Sequence, residues 1–73
     1  MKNTAHRATL LQRAAACSRS IAIARDPDQR VLLENVHDMW KALADDCERL
    51  SEKELRRQIE KIATLHADVQ AMK

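Results

Sequence analysis

The chain has 73 residues, contains no glycine, phenylalanine or tyrosine, and carries a formal net charge of +2. A chain this short forms one domain at most, and without glycine it lacks the phosphate-cradling loops of nucleotide-binding folds. So small a charge does not by itself predict a polyanionic partner. Alanine, leucine and long charged side chains dominate, and these residues favour helix. We therefore expect a single all-α domain over residues 1–73.

The first predicted helix runs from about residue 4 to residue 25. Its apolar residues recur at spacings of four and three, which places them on one helix face. These residues are Leu10, Ala14, Cys17, Ile21 and Ala24, with Leu11 and Ala15 widening the face. Residues 1–25 carry five cations and no acid, as transit peptides do. Because Arg13 interrupts the apolar region that a signal peptide needs, we expect this segment to belong to the folded protein.

Asp26 and Pro27 give the clearest local signal in the chain. Asp26 suits the N-cap position, where its side chain accepts hydrogen bonds from backbone N–H groups that lack a helical partner. Pro27 suits the first helical position, where its missing N–H costs nothing. Gln29 is placed to complete a capping box. The sequence therefore predicts that a second helix begins here and that the chain reverses direction just before it.

The second predicted helix covers about residues 27–50, and its period matches that of the first. Its inner face is formed by Leu32, Leu33, Val36, Trp40, Leu43, Cys47 and Leu50. Matching apolar faces predict an antiparallel helical hairpin. Residues 26–50 carry seven acids against three cations, so a basic helix would lie beside an acidic one. We expect ion pairs between them, including pairs made by arginines such as Arg13 that flank the apolar face.

Two pieces of this region, residues 25–33 and 40–44, resemble a pattern in short bacterial helical proteins of no known activity. The pattern begins with Asp26-Pro27 and Leu32-Leu33 and continues with Trp40 and Leu43-Ala44. It covers about 20 residues of the chain. The resemblance implies a helical hairpin, and it implies no ligand or activity.

The apolar phase breaks after Leu50. The next face comprises Leu55, Ile59, Ile62, His66 and Val69, and it starts one residue too late to continue the pattern. Ser51 can act as an N-cap, with Glu54 as its capping-box partner and Leu50 and Leu55 as a hydrophobic staple. Two interpretations follow. A third helix over about residues 52–72 folds back to give a three-helix bundle, or the second and third helices form one long bent rod.

The predicted core is thin, because twelve of the apolar residues are alanines, which contribute little buried area. Small helical domains with thin cores are often completed by a second chain. We therefore expect a homo-oligomer, or a complex with another helical protein. The candidates for core or interface are Leu33, Val36, Trp40, Leu43, Leu55, Ile59, Ile62 and Val69. Trp40, the only aromatic residue, would be the core anchor or an interface hot spot.

The sequence offers no pattern that predicts catalysis, a cofactor or a metal site. No two of His6, His37 and His66 stand at metal-ligand spacing. We expect Cys17 and Cys47 to be small buried side chains that are too far apart along a hairpin to form an intramolecular disulfide, with a thiol link between chains as the alternative. His66, on an apolar face, is the best candidate for a pH-sensitive position, with a backbone or solvent partner.

Four cations near the start of the third helix form the only candidate nucleic-acid surface. They are Lys53, Arg56, Arg57 and Lys61. Such residues often contact phosphates from a recognition helix. Acidic residues interleave them, however, which is more typical of a solvent-exposed helix face that carries its own ion pairs.

Together these features predict a cytoplasmic, non-catalytic helical module for protein interaction or oligomerisation. No run of about 20 apolar residues predicts a membrane span. The alternative hypothesis is a small DNA- or RNA-binding regulator that uses the basic start of the third helix.

Overall fold

The computed structural model describes the backbone of residues 4–72 and the side chains of residues 6–72. It contains three helices: α1 (Thr4–Ile23), α2 (Pro27–Asp46) and α3 (Glu52–Gln70), with no strand in the described part. The backbone of α2 lies close to both α1 and α3, whereas α1 and α3 meet through side chains such as Cys17 and His66. The all-α three-helix bundle is thus confirmed, and the bent-rod alternative is wrong because the chain leaves the helix between α2 and α3.

The turn between α1 and α2 is built as the sequence predicts. The Asp26 carboxylate accepts a hydrogen bond from the backbone N–H of Asp28 at 3.0 Å, and Pro27 is the first helical residue. The Arg30 side chain reaches back and donates to the carbonyl of Ala24 at 2.8 Å. That bond satisfies one of the acceptors that a helix end leaves open. Helix α1 ends at Ile23, two residues before the expected boundary.

The link between α2 and α3 is longer than expected, because α2 ends at Asp46 and not at residue 50. The backbone N–H of Arg49 donates to the carbonyl of Asp46 at 2.9 Å, which closes a tight turn. Ser51 is extended, and its hydroxyl accepts from the N–H of Glu54 at 3.1 Å. The predicted cap of α3 is therefore present. Helix α3 ends at Gln70, two residues before its expected boundary.

Gln29 has a different role from the predicted capping box. Its side-chain amide donates to the carbonyls of Val69, at 2.9 Å, and Met72, at 3.3 Å. Both carbonyls lie at the end of α3, where few backbone donors remain. The Val69 carbonyl also accepts from the N–H of Met72 at 3.2 Å. On the same end of the bundle the amide of Gln70 donates to the hydroxyl of Ser20 at 3.1 Å. Two side-chain bridges thus hold the end of α3 to the α1–α2 hairpin.

The core closes within one chain. The buried apolar residues are Leu10, Ala14, Cys17, Leu33, Val36, Trp40, Leu43, Ala44, Cys47, Leu55, Ile62 and Val69. Of the eight candidates for core or interface, Ile59 alone is partly buried instead of buried. Leu11 and Leu32, expected on inner faces, are 44% and 38% exposed, and Ala15 is also exposed. The faces that contact neighbouring helices are therefore narrower than the apolar stripes in the sequence.

The predicted ion pairs between α1 and α2 are not present among residues 6–72. Every ion pair in this part of the chain joins side chains no more than four positions apart. The two helices face each other with apolar side chains, and Arg13 lies over the ring of Trp40 instead of reaching an acid. Apolar packing therefore holds this hairpin together.

Replacing Gln29 by alanine tests the bridge to the end of α3. We expect Gln29→Ala to lower the free energy of unfolding by about 1 kcal/mol, because the end of α3 loses both hydrogen bonds from the Gln29 amide. The Val69 carbonyl keeps only the N–H of Met72 as its donor. Urea denaturation followed by circular dichroism measures the change. Gln12→Ala, at an exposed position of α1, is the matched control and should be close to neutral. Equal losses in the two variants would contradict the bridge.

Candidate functional site

Two features of the described residues could carry a function. The first is a polar contact inside the bundle, formed by Arg13, Cys17, Trp40 and His66, which we call the junction cluster. The second is an open apolar depression between α2 and α3, which we call the α2–α3 groove. The cluster combines a thiol with an imidazole, a pair that can act in catalysis. The groove exposes large apolar side chains, which can bind a partner.

The junction cluster lies where all three helices meet. The indole N–H of Trp40 donates to Nδ1 of His66 at 3.4 Å. The Cys17 sulfur lies 3.5 Å from Nε2 of the same ring and 3.8 Å from Nδ1. The guanidinium carbon of Arg13 is 5.2 Å from the centre of the Trp40 ring, a cation–π distance. One side chain of α3 therefore contacts α1 and α2 at the same time.

The position of the imidazole proton follows from these contacts. An indole N–H can only donate, so Nδ1 of His66 must accept, and the neutral ring carries its proton on Nε2. The Cys17 sulfur lies at similar distances from both ring nitrogens, so it packs against the ring and not along the Nε2–H bond. With Nδ1 accepting from Trp40, neither nitrogen is left to take the thiol proton. Burial also raises the pKa of the Cys17 thiol. The pair thus lacks the free ring nitrogen that activates a nucleophilic cysteine.

The sequence identified only part of this cluster. His66 was expected to have a backbone or solvent partner, and instead its partners are the side chains of Trp40 and Cys17. The stacking of Arg13 on Trp40 was not predicted. An antiparallel hairpin that turns near residue 25 brings Arg13 and Trp40 close together. The register of the two helices could therefore have predicted this contact. Cys17 and Cys47 are both buried and not disulfide-bonded, as expected within one chain.

The α2–α3 groove has a volume of about 460 Å³. Its lining residues are Met39, Ala42, Leu43, Asp46, Leu50, Gln58, Lys61, Ile62 and Leu65. Leu43 and Ile62 form a recessed floor, at 7% exposure each, while Met39 and Leu65 stand above it at 41% and 40%. Leu32, at 38%, extends the apolar surface, because it precedes Met39 by seven residues and so lies on the same side of α2.

The groove opens on the side of the α2–α3 pair that α1 leaves uncovered. His66 points to α1 through its contact with Cys17, whereas its neighbour Leu65 lines the groove. Adjacent residues on a helix point about 100° apart. Helix α3 therefore presents one face to α1 and another to the open groove.

The structure brings together only part of the predicted nucleic-acid surface. Lys53, Arg56 and Arg57 share one exposed surface of α3, together with Glu52 and Glu60. Arg56 pairs with Glu52 at 3.2 Å, and Arg57 lies 3.8 Å from Glu54. Lys61, the fourth predicted cation, lines the α2–α3 groove instead. The acids reduce the positive potential that a phosphate backbone would encounter.

Among residues 6–72, no cluster of three or more His, Cys, Asp or Glu side chains is arranged to hold a metal ion. In the same part of the chain, none of the helices combines the length and apolar character needed to cross a bilayer.

No family model, curated protein or solved structure matches the chain. The resemblance of residues 25–44 to short bacterial helical proteins stays a prediction.

The junction cluster makes stability depend on pH. Burial, and to a smaller extent the charge of Arg13, lowers the pKa of His66. Above about pH 6.5, the ordinary histidine pKa, the ring is neutral in both folded and unfolded chains, and the stability from its contacts is fully present. As the pH falls below that value the unfolded chain takes up the proton first. Stability therefore declines until the pH passes the lower native pKa.

A pH series on the wild type and on His66→Gln measures this effect. We expect the wild type to lose more of its free energy of unfolding than the variant between pH 7.5 and pH 5, since glutamine does not titrate. An NMR titration of the His66 ring in the folded protein should give a midpoint below the ordinary value of about 6.5. A midpoint at or above that value would contradict the assignment.

Proposed function

We propose that this chain is a non-catalytic interaction module that binds an amphipathic helix in the α2–α3 groove. One observation carries the proposal: large apolar side chains stay exposed around this groove although the core is already closed within one chain. Met39 and Leu65 are each about two-fifths exposed, while Trp40 is fully buried. Exposed apolar residues gathered in one depression, and not scattered singly, are typical of a protein-binding surface.

The shape of the groove favours a helical occupant. Two antiparallel helices leave a channel between their side-chain ridges, and a further helix packs into such a channel. The opposite side of the α2–α3 pair already accepts α1 in this way, through the Cys17–His66 and Ser20–Gln70 contacts. The occupant would present leucine- or methionine-sized side chains at spacings of three and four residues, which is the helix-in-groove mode of recognition.

The chemistry of the groove supports binding over catalysis. Its charged residues are Asp46 on α2 and Lys61 on α3, next to the amide of Gln58. Such groups at the edge of an apolar surface select the orientation and charge of a partner more than they add affinity. The thiol and imidazole of the junction cluster lie on the α1 side, where the His66 ring contacts Cys17 and accepts from Trp40. We therefore assign recognition to the groove and stability to the cluster.

A peptide titration tests the proposal on the intact protein. The probe is a synthetic helical peptide with leucines at spacings of three and four on one face and a lysine–glutamate mixture on the other. With the peptide in large excess, we expect NMR shift changes at Met39, Leu43 and Leu65. Met39→Glu should weaken binding at least about tenfold, or roughly 1.4 kcal/mol, because the carboxylate would be buried without a partner.

Val31→Glu is the matched control. Val31 lies on the same helix and is 54% exposed, and it does not line the groove. We expect this variant to bind the peptide like the wild type, and circular dichroism should show both variants folded. Shift changes confined to another surface, or equal effects of the two substitutions, would refute the assignment of the groove.

A further inference from the structure

We infer that the groove is covered by a second copy of the chain, so that α2 and α3 of two copies face each other and form a four-helix core with one α1 on each outer side. This inference rests on the proposed function and identifies the occupant of the groove. Three properties of the surface support it: its relief, its charges and the direction of its helices.

The protruding apolar side chains of the groove can pack against their own copies. Met39 and Leu65 protrude, at 41% and 40% exposure, above the recessed Leu43 and Ile62, at 7% each. In a two-fold symmetric contact the same patch faces itself. With the axis along the helices each residue keeps its level, so Met39 and Leu65 of the two copies meet in one apolar layer.

The charges of the groove are self-complementary. Asp46 lies on the α2 side and Lys61 on the α3 side of the same depression. Lys61 makes no ion pair among the described residues, and the described partner of Asp46 is the exposed Arg49. A two-fold axis that runs along the helices places α2 of one copy beside α3 of the other. Asp46 of each copy then faces Lys61 of the other.

The direction of the helices fits the same arrangement. Within one copy α2 and α3 run in opposite directions, joined by the short link at residues 47–51. With the axis along the helices, each helix of the four-helix core has antiparallel neighbours on both sides, the common arrangement of four-helix bundles. A net charge of +2 per copy adds little repulsion. Leu32, 38% exposed in a single copy, lies on the same side and extends the contact.

Sedimentation equilibrium of the full chain over a wide concentration range tests the inference. We expect a reversible dimer, a dissociation constant raised at least about tenfold by Met39→Glu, and no change with Val31→Glu. A wild type that stays monomeric at high concentration would overturn the inference. If such a monomer still binds the peptide, the proposed function stands. If the chain neither dimerises nor binds the peptide, both the inference and the proposed function are wrong. A dimer that tolerates Met39→Glu would use another face, which also overturns the inference.

Charge reversal tests the direction of the axis. Asp46→Lys and Lys61→Asp should each weaken the dimer by roughly tenfold at low salt. The dimer contains two copies of the pair between residues 46 and 61, and either substitution gives both pairs like charges. An equimolar mixture of the two variants should form a heterodimer with wild-type affinity, since every facing pair again has opposite charges. Circular dichroism controls for folding. Two weakened variants that do not recover on mixing would overturn the proposed arrangement.

Discussion

The buried indole of Trp40 constrains the arrangement of the whole bundle. It is the only aromatic side chain of the molecule, and it is fully buried. Its N–H would cost free energy in an apolar core without an acceptor. His66 of α3 supplies that acceptor, and its ring also contacts the sulfur of Cys17 on α1. Together with the buried Leu55, Ile62 and Val69, this ring fixes how α3 is rotated relative to the hairpin.

That rotation also determines which side of α3 stays exposed. With His66 turned towards α1, its neighbour Leu65 is turned towards the open side of α2, where it lines the groove with Met39. Ile62 serves both sides, because it belongs to the core and forms part of the groove floor. So small a domain can thus close its core around Trp40 and still keep large apolar side chains exposed.

The sequence was most informative where local chemistry decides the structure. Asp26-Pro27 and Ser51 predicted the starts of α2 and α3, because caps act through neighbouring backbone groups. The end of α2 at Asp46 carries no glycine, asparagine or proline signal, and the sequence alone left the bundle and the bent rod as alternatives. The bridge from Gln29 to α3 and the α2–α3 groove depend on how separate helices are oriented. Periodicity within one helix carries no information on this orientation, which is also why Leu32 was placed on the wrong side.

The way α3 is held has a consequence for partner binding. Two amide bridges, from Gln29 and Gln70, secure its far end, and a short link secures its start. A segment attached in this way can open locally at lower cost than the α1–α2 hairpin unfolds. The groove exists only while α3 is docked, since α3 forms one of its walls. A partner bound in the groove would therefore stabilise the closed bundle and would protect the link between α2 and α3 from proteolysis.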